Sequence, residues 1–279
     1  MFNNLLIRSL SGLIFAAVMA AGMLFHPVSY LVLILLVTGV MTWEYFRITI
    51  KNRFILAQAM TITTNGLLFL LFWLLMRYQI QGIWFLLLAF PISAIWVSLL
   101  YQKRSKSYAK SPYLFVPVFS IALPFALTNL LAFDPTGNYF GKTLLSLFLL
   151  LWASDVGAYL FGMSLGQKNG HKLFPSLSPK KSWEGYIGGL FTVVFVGYLL
   201  NRLHWLPYPL VHCLIVSLLL HLFGVWGDLS ESQLKRHFNV KDSGKMMPGH
   251  GGLLDRFDSA TLSFPVVIAY LKLFPLLKP

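Results

Sequence analysis

Between Gly227 and Asp258 the chain reads GDLSESQLKRHFNVKDSGKMMPGHGGLLDRFD, and five of its nine acidic residues lie in that stretch. Asp228, Glu231, Asp242, Asp255 and Asp258 are interleaved there with Lys235, Arg236, Lys241, Lys245 and Arg256. Carboxylates gathered in one place along an otherwise greasy chain are suited to holding metal ions. Asp228, Glu231, Ser232 and Lys235 stand at i, i+3, i+4 and i+7, a spacing that a helix puts on one face. Asp255 and Asp258 repeat the i, i+3 spacing at the predicted start of the last helix, just after Pro248-Gly249-His250-Gly251-Gly252. Glycines at such a start let backbone N–H groups approach an anion, and the helix dipole favours negative charge there. A carboxylate pair beside an anion site suits a phosphate held together with Mg²⁺, which takes one or two carboxylates and completes its shell with substrate phosphates. A second metal about 4 Å away would clamp both the attacking and the leaving oxygen of a phosphoryl transfer.

A second basic stretch, LSPKKSWEGYIGG from Leu177 to Gly189, offers Ser178, Lys180 and Lys181 ahead of another predicted helix start. The lysines read either as point-charge phosphate ligands or as membrane-side anchors, and Ser182 reads as a helix cap. Asp155 lies inside an apolar run, WASDVGAYLFG. An ionised carboxylate is costly there unless paired or wet, so Asp155 is expected to face the bundle interior and to serve the site. Glu44 reads as a helix-end interaction, and His204, His212 and His221 as core or interface residues, since none has an acidic partner at ligand spacing. The chain carries no GxSxG elbow, no Cys/His cluster and no Walker loop. Cys213, the single cysteine, reads as a small core residue.

The elements that must position these residues are membrane helices. The chain is 57% hydrophobic and 11% charged, with a mean hydropathy of +0.70, whereas a soluble domain is about 45–50% apolar and about a quarter charged. Apolar segments fall at about 9–25, 28–45, 55–76, 80–100, 113–133, 143–165, 183–200, 210–226 and 259–275, each near the length that spans a bilayer. The expected fold is therefore all-α, a polytopic membrane protein of about nine transmembrane helices in one membrane domain over 1–279. Within it, helices 1–133 have no assigned role and 143–275 carry the chemistry. The first segment reads as a span rather than a cleaved signal peptide, because His26-Pro27 leads straight into the next. Pro27 makes a tight hairpin, and Pro117 and Pro124 kink the fifth helix. Of the 22 Lys and Arg residues, 17 fall on the side of the N-terminus and the motif loops and 5 on the other. The crowded side is the cytoplasmic one, the C-terminus lies outside, and the chain belongs in the cytoplasmic (inner) membrane. The net charge of +13 is accounted for by this bias and by phosphate partners, with no need for nucleic acid.

At these residues the chain resembles the phosphatidate cytidylyltransferases, or CDP-diacylglycerol synthases. The family signature is matched by SQLKRHFNVKDSGKMMPGHGGLLDRFD, from Ser232 to Asp258, with Met247 alone departing from the usual Leu, Ile or Phe. GDLSES at Gly227 and SPKKSWEG at Ser178 also look like the family, so the resemblance covers the C-terminal half. Val156 and Met163 depart from its usual hydroxyl and basic residues. The resemblance implies transfer of CMP from CTP to the phosphate of phosphatidic acid, with release of pyrophosphate, by a homodimer. It implies metal ligation by Asp228 and Asp255, with Glu231 and Asp155 as further candidates, and a role for Asp258 in the same catalytic group. Lys235, Arg236, Lys241, His250 and Arg256 would hold phosphates, with Ser178, Lys180, Lys181, Ser232, Asp242, Gly251 and Gly252 around them. The alternatives are cytidylyl transfer to another lipid phosphate, a polyprenol-type lipid kinase, and a non-catalytic paralogue.

Overall fold

The computed structural model describes residues 2–51, 53–101, 105–166 and 170–274. Nine long helical segments run through them: α1 (Phe2–Leu24), α2 (Pro27–Thr49), α3 (Ile55–Tyr78), α4 (Gly82–Leu100), α5 (Tyr108–Ala132), α6 (Gly141–Ser164), α7 (Trp183–Arg202), α8 (Leu210–His237) and α9 (Leu254–Leu273). Seven of these, α2 to α8, are long and apolar enough to cross a membrane. The chain is thus an all-α polytopic membrane protein. Nine crossings are not established on this measure: the apolar part of α1 is the shorter run Ser9–Leu24, and α9 opens with Asp255, Arg256 and Asp258.

Local chemistry sets the breaks. Pro27 occupies the first turn of α2, and His26 caps it reciprocally with Ser29: Val28 N–H donates to His26 Nδ1 at 3.2 Å and His26 N–H to Ser29 Oγ at 3.0 Å. The strain expected at Pro117 and Pro124 appears as a π-helical turn, Val118–Ala122, between them; removing helix N–H donors is a recognised cause of such bulges. The basic loop before α7 holds something an all-α expectation omits, a two-stranded antiparallel hairpin of β1 (Lys172–Phe174) and β2 (Ser178–Ser182). The hairpin ends on Ser182, whose Oγ accepts the Gly185 N–H at 3.2 Å and so caps α7 as expected.

Contacts divide the chain into two units, Met1–Gly141 with Phe238–Phe257, and Lys142–His237 with Asp258–Pro279. In the first, Tyr30, Phe69, Phe125 and Phe257 are fully buried, and Phe257 is held edge-on by Phe15 and Phe125. Tyr30 Oη and Thr128 Oγ1 are 2.6 Å apart, and Asn65 donates to Thr42 at 2.8 Å, so these polar groups inside the helices bond one another. The motif segment 238–257 is thus grouped with the N-terminal helices. In the second unit, Phe148 and Phe264 stack edge-on at 4.9 Å, and Cys213 is buried. α8 there presses on α9 at Gly227: a Cβ would lie 2.5 Å from the Asp258 carbonyl oxygen, so only glycine permits this approach.

Candidate functional site

Two constellations emerge, one in each unit. In the second unit the face predicted on α8 is real. Ser232 Oγ donates to Asp228 Oδ1 at 3.3 Å, and Lys235 Nζ to Glu231 Oε2 at 2.9 Å. The Glu231–Lys235 pair is desolvated, with side chains 6% and 12% exposed. Lys181, at the end of β2, forms an ion pair with Asp228. Asp258, 9% exposed on α9, carries a carboxyl that shares a hydrogen bond with Glu231 and feels the charges of Asp228 and Asp155. Four acidic residues from α6, α8 and α9 thus converge, with Lys181 paired to Asp228 and Lys235 to Glu231.

Asp155 reaches this cluster from an unexpected direction. It is exposed, not turned into the bundle interior. The reason is its neighbour: Ser154 is buried and meets His221 Nδ1 at 2.8 Å, and the next residue on a helix points about 100° away. His221, fully buried, is a core residue, as expected.

In the first unit, Lys241, Lys245, His250 and Arg256 line a cavity of about 800 Å³ together with Asp242, Pro248, Gly249 and Gly251. The turn that shapes it needs left-handed backbone at Gly249 (φ 74°) and Gly251 (φ 85°), which favours glycine at both. Met247 and Gly251 pair across the turn, with Met247 N–H donating to Gly251 O at 2.9 Å. Ser11 of α1 closes one side: its Oγ donates to Pro248 O at 3.0 Å and lies 2.8 Å from His250 Nδ1. A hydroxyl has one proton, and with it spent on Pro248, Nδ1 is the donor of the pair.

The expected cradle of backbone N–H groups at the start of α9 is absent, because those donors are engaged within the protein. Gly252 N–H and Ser243 N–H both donate to Asp255 Oδ2, at 2.8 and 2.9 Å. Leu254 N–H donates to Glu44 Oε2 at 2.8 Å, and Asp255 N–H to Ser243 Oγ at 3.3 Å. The cations this unit offers to an anion are therefore side chains, those of Lys241, Lys245 and Arg256. Gly251 lines the cavity, while Gly252 braces Asp255.

Glu44 was misread from the sequence. It is 1% exposed, and its Oε2 also accepts from Ser243 Oγ at 3.1 Å. Through Ser243 and Leu254 it fixes the loop that presents Asp255, and Gly244 and Gly252 leave no room for a Cβ against its carboxylate. Its Oε1 has no hydrogen-bond partner among the described residues. The available signal was a lone acid inside an apolar segment, the same signal that flagged Asp155. Ser243 and Ser11 carry no signal in the sequence, and Lys245, one of the cations interleaved in the motif stretch, lines the cavity.

Other expected site residues stand apart from both constellations. Ser178 pairs with Phe174 in the hairpin, and Lys180 is exposed on β2. Arg236 is exposed, its Nε 3.5 Å from Leu177 O.

Among the described residues no three His, Cys, Asp or Glu side chains are grouped so as to hold a metal ion. The charge of the acidic cluster still suits a hard cation that needs fewer carboxylates. Two carboxyls that share a hydrogen bond, as Asp258 and Glu231 do, need a proton or a cation to offset their charge, and Mg²⁺ takes few protein ligands when phosphates complete its shell.

Residues 6–274 match the model of the cytidylyltransferase family. The phosphatidate cytidylyltransferase of Bacillus subtilis (strain 168) is 44% identical over 126 residues, covering 45% of this chain and 46% of that protein. The phosphatidate cytidylyltransferase of Staphylococcus aureus (strain COL) is 51% identical over 122 residues, covering 43% and 45%. That of Staphylococcus epidermidis (strain ATCC 12228) is 44% identical over 126 residues, covering 45% and 47%. In these matches the chain spans about half the length of each relative.

Proposed function

We propose that this chain, which belongs to the cytidylyltransferase family, transfers CMP from CTP to phosphatidic acid, giving CDP-diacylglycerol and pyrophosphate. The observation that carries this reading is the cavity lined by Lys241, Lys245, His250 and Arg256. Three fixed cations and an imidazole around a space within the ~300–1,000 Å³ range of ligand pockets suit a polyphosphate. The relatives' names point the same way.

The residues have separable tasks. The basic side chains of the cavity hold phosphates and offset the charge that grows on pyrophosphate as it leaves. Ser11, through His250, fixes which imidazole nitrogen is the donor. Asp228, Glu231 and Asp258, with Asp155 at their edge, would hold Mg²⁺, and Asp255 is a further candidate through the oxygen not given to the backbone. When bound, Mg²⁺ would polarise phosphate oxygens and let two anions meet. Lys181 and Lys235 keep the carboxylates of Asp228 and Glu231 in fixed positions. No general base is needed, because a phosphate monoester is already ionised near neutral pH. We read the N-terminus and the motif loops as cytoplasmic, from the 17-to-5 distribution of basic residues.

The test is pyrophosphate release by the detergent-purified protein with CTP, phosphatidic acid and Mg²⁺, each omitted in turn. Release that requires all three is expected. Nucleoside diphosphate in place of pyrophosphate would overturn the reading in favour of a lipid kinase, and no product with any lipid phosphate would overturn it outright.

A further inference from the structure

The basic cavity of the first unit does not end at the polar turn. Met247 and Pro248, which line it, also line the mouth of an apolar groove of about 530 Å³ between α1 and α2. The floor of the groove is buried, with Met19 and Val37 1% and 6% exposed, while Leu10, Ile14, Val18 and Leu36 form an open rim. Ser11 stands at the polar end, bonded to the turn. The result is a cationic compartment and a hydrocarbon slot side by side, with Met247 and Pro248 common to both.

Chemistry decides what fits. From Leu10 to Met19 the groove follows α1 for roughly 14 Å at 1.5 Å per residue, a length that an alkyl segment can fill, and apart from Ser11 its lining is apolar. A ligand that fills both compartments must carry an anionic phosphate at one end and an alkyl chain at the other.

We propose that the α1–α2 groove is the acyl-chain site for a phosphate-headed membrane lipid, with the lipid phosphate entering the cavity at Met247 and Pro248. The proposal rests on the reading that the acceptor is a lipid phosphate, and assigns which helices hold its chain. It gives the N-terminal helices a substrate-binding role that their sequence does not announce. Annular lipid can touch any outward face of the protein; what sets this groove apart is its connection to fixed cations, so occupancy should depend on the headgroup.

The experiment uses the full chain in phosphatidylcholine nanodiscs with a phosphatidic acid bearing a diazirine in mid-chain. After illumination the labelled peptides are mapped. Label is expected on residues 10–19 and 33–40, displaced by excess unlabelled phosphatidic acid but not by equal phosphatidylcholine or inorganic phosphate. Displaceable label confined to other helices overturns the proposal, as does label at α1–α2 that phosphatidylcholine removes equally well or that inorganic phosphate removes alone. Ile14→Trp and Leu36→Trp, at exposed rim positions, should lower the displaceable label by about tenfold by filling the slot, with the thermal midpoint unchanged; undiminished label in both overturns the proposal. Labelling needs no turnover, so it is read separately from pyrophosphate release, whose absence would count only against the assigned reaction.

Discussion

Glu44 shows at the scale of one residue how a loop of glycines and charges is held still. Its buried carboxylate takes the Leu254 N–H and the Ser243 hydroxyl, and Ser243 in turn donates its own N–H to Asp255. A buried donor stripped of its acceptor costs about 1–3 kcal/mol. Glu44→Ala should therefore lower thermal stability by that order and cut turnover, because Asp255 loses its support. Glu44→Gln retains the shape and one acceptor oxygen and should recover most of the stability. If Glu44→Ala has wild-type turnover and Mg²⁺ dependence, the bracing role is wrong. Asp155 makes a related point: an acid in an apolar run can meet its partners from an exposed face, since adjacent side chains on a helix diverge.

Among the elements, the contact of α8 with α9 is the least forgiving. Gly227→Ala places a methyl group 2.5 Å from the Asp258 carbonyl, and overpacking of this kind costs about 1–3 kcal/mol. It should also displace Asp258 from Glu231, so activity is expected to fall further than stability; a variant with normal rates would show that α9 shifts without consequence. The loop before α6 makes a pH prediction. Thr136 and Asn138 bond the Asp134 carboxylate at 2.7–2.9 Å and lower its pKa to about 2. A depressed carboxylate stabilises the fold above its ordinary pKa, and this contribution is lost as pH falls through the folded value. Amide exchange at Thr136 and Asn138 should thus stay protected, relative to Asp134→Asn, from neutral pH down to about pH 4, and loosen between there and pH 2. Loosening already complete at pH 5 would contradict the bonding.

For the whole molecule, the two compact units do not follow the order of the chain, because residues 238–257 pack with the N-terminal helices. The N-terminal half therefore supports the motif segment 238–257 by direct packing. Its topology is checkable: a cysteine replacing Lys110, in a Cys213→Ser background, should react with an impermeant maleimide only in inside-out vesicles, and one replacing Thr136 only in right-side-out vesicles. Labels on the same side would overturn the orientation drawn from basic residues.

Composition and periodicity alone determined that the chain is a helical membrane protein, where its helices lie within a few residues, and which stretch gathers most of its carboxylates. These follow from local rules: an apolar span must satisfy its backbone as helix, and spacings of three and four fall on one face. That is why the α8 face from Asp228 to Lys235 was legible. Only the tertiary structure decided that Glu44, some two hundred residues away in sequence, braces the motif loop, that the N–H groups opening α9 are already occupied, and that Asp155 faces outward. It also decided that the basic cavity shares Met247 and Pro248 with an apolar groove made by α1 and α2. Each of these depends on which distant side chain arrives at a given backbone donor or face, and a single sequence carries no local signal of that arrival.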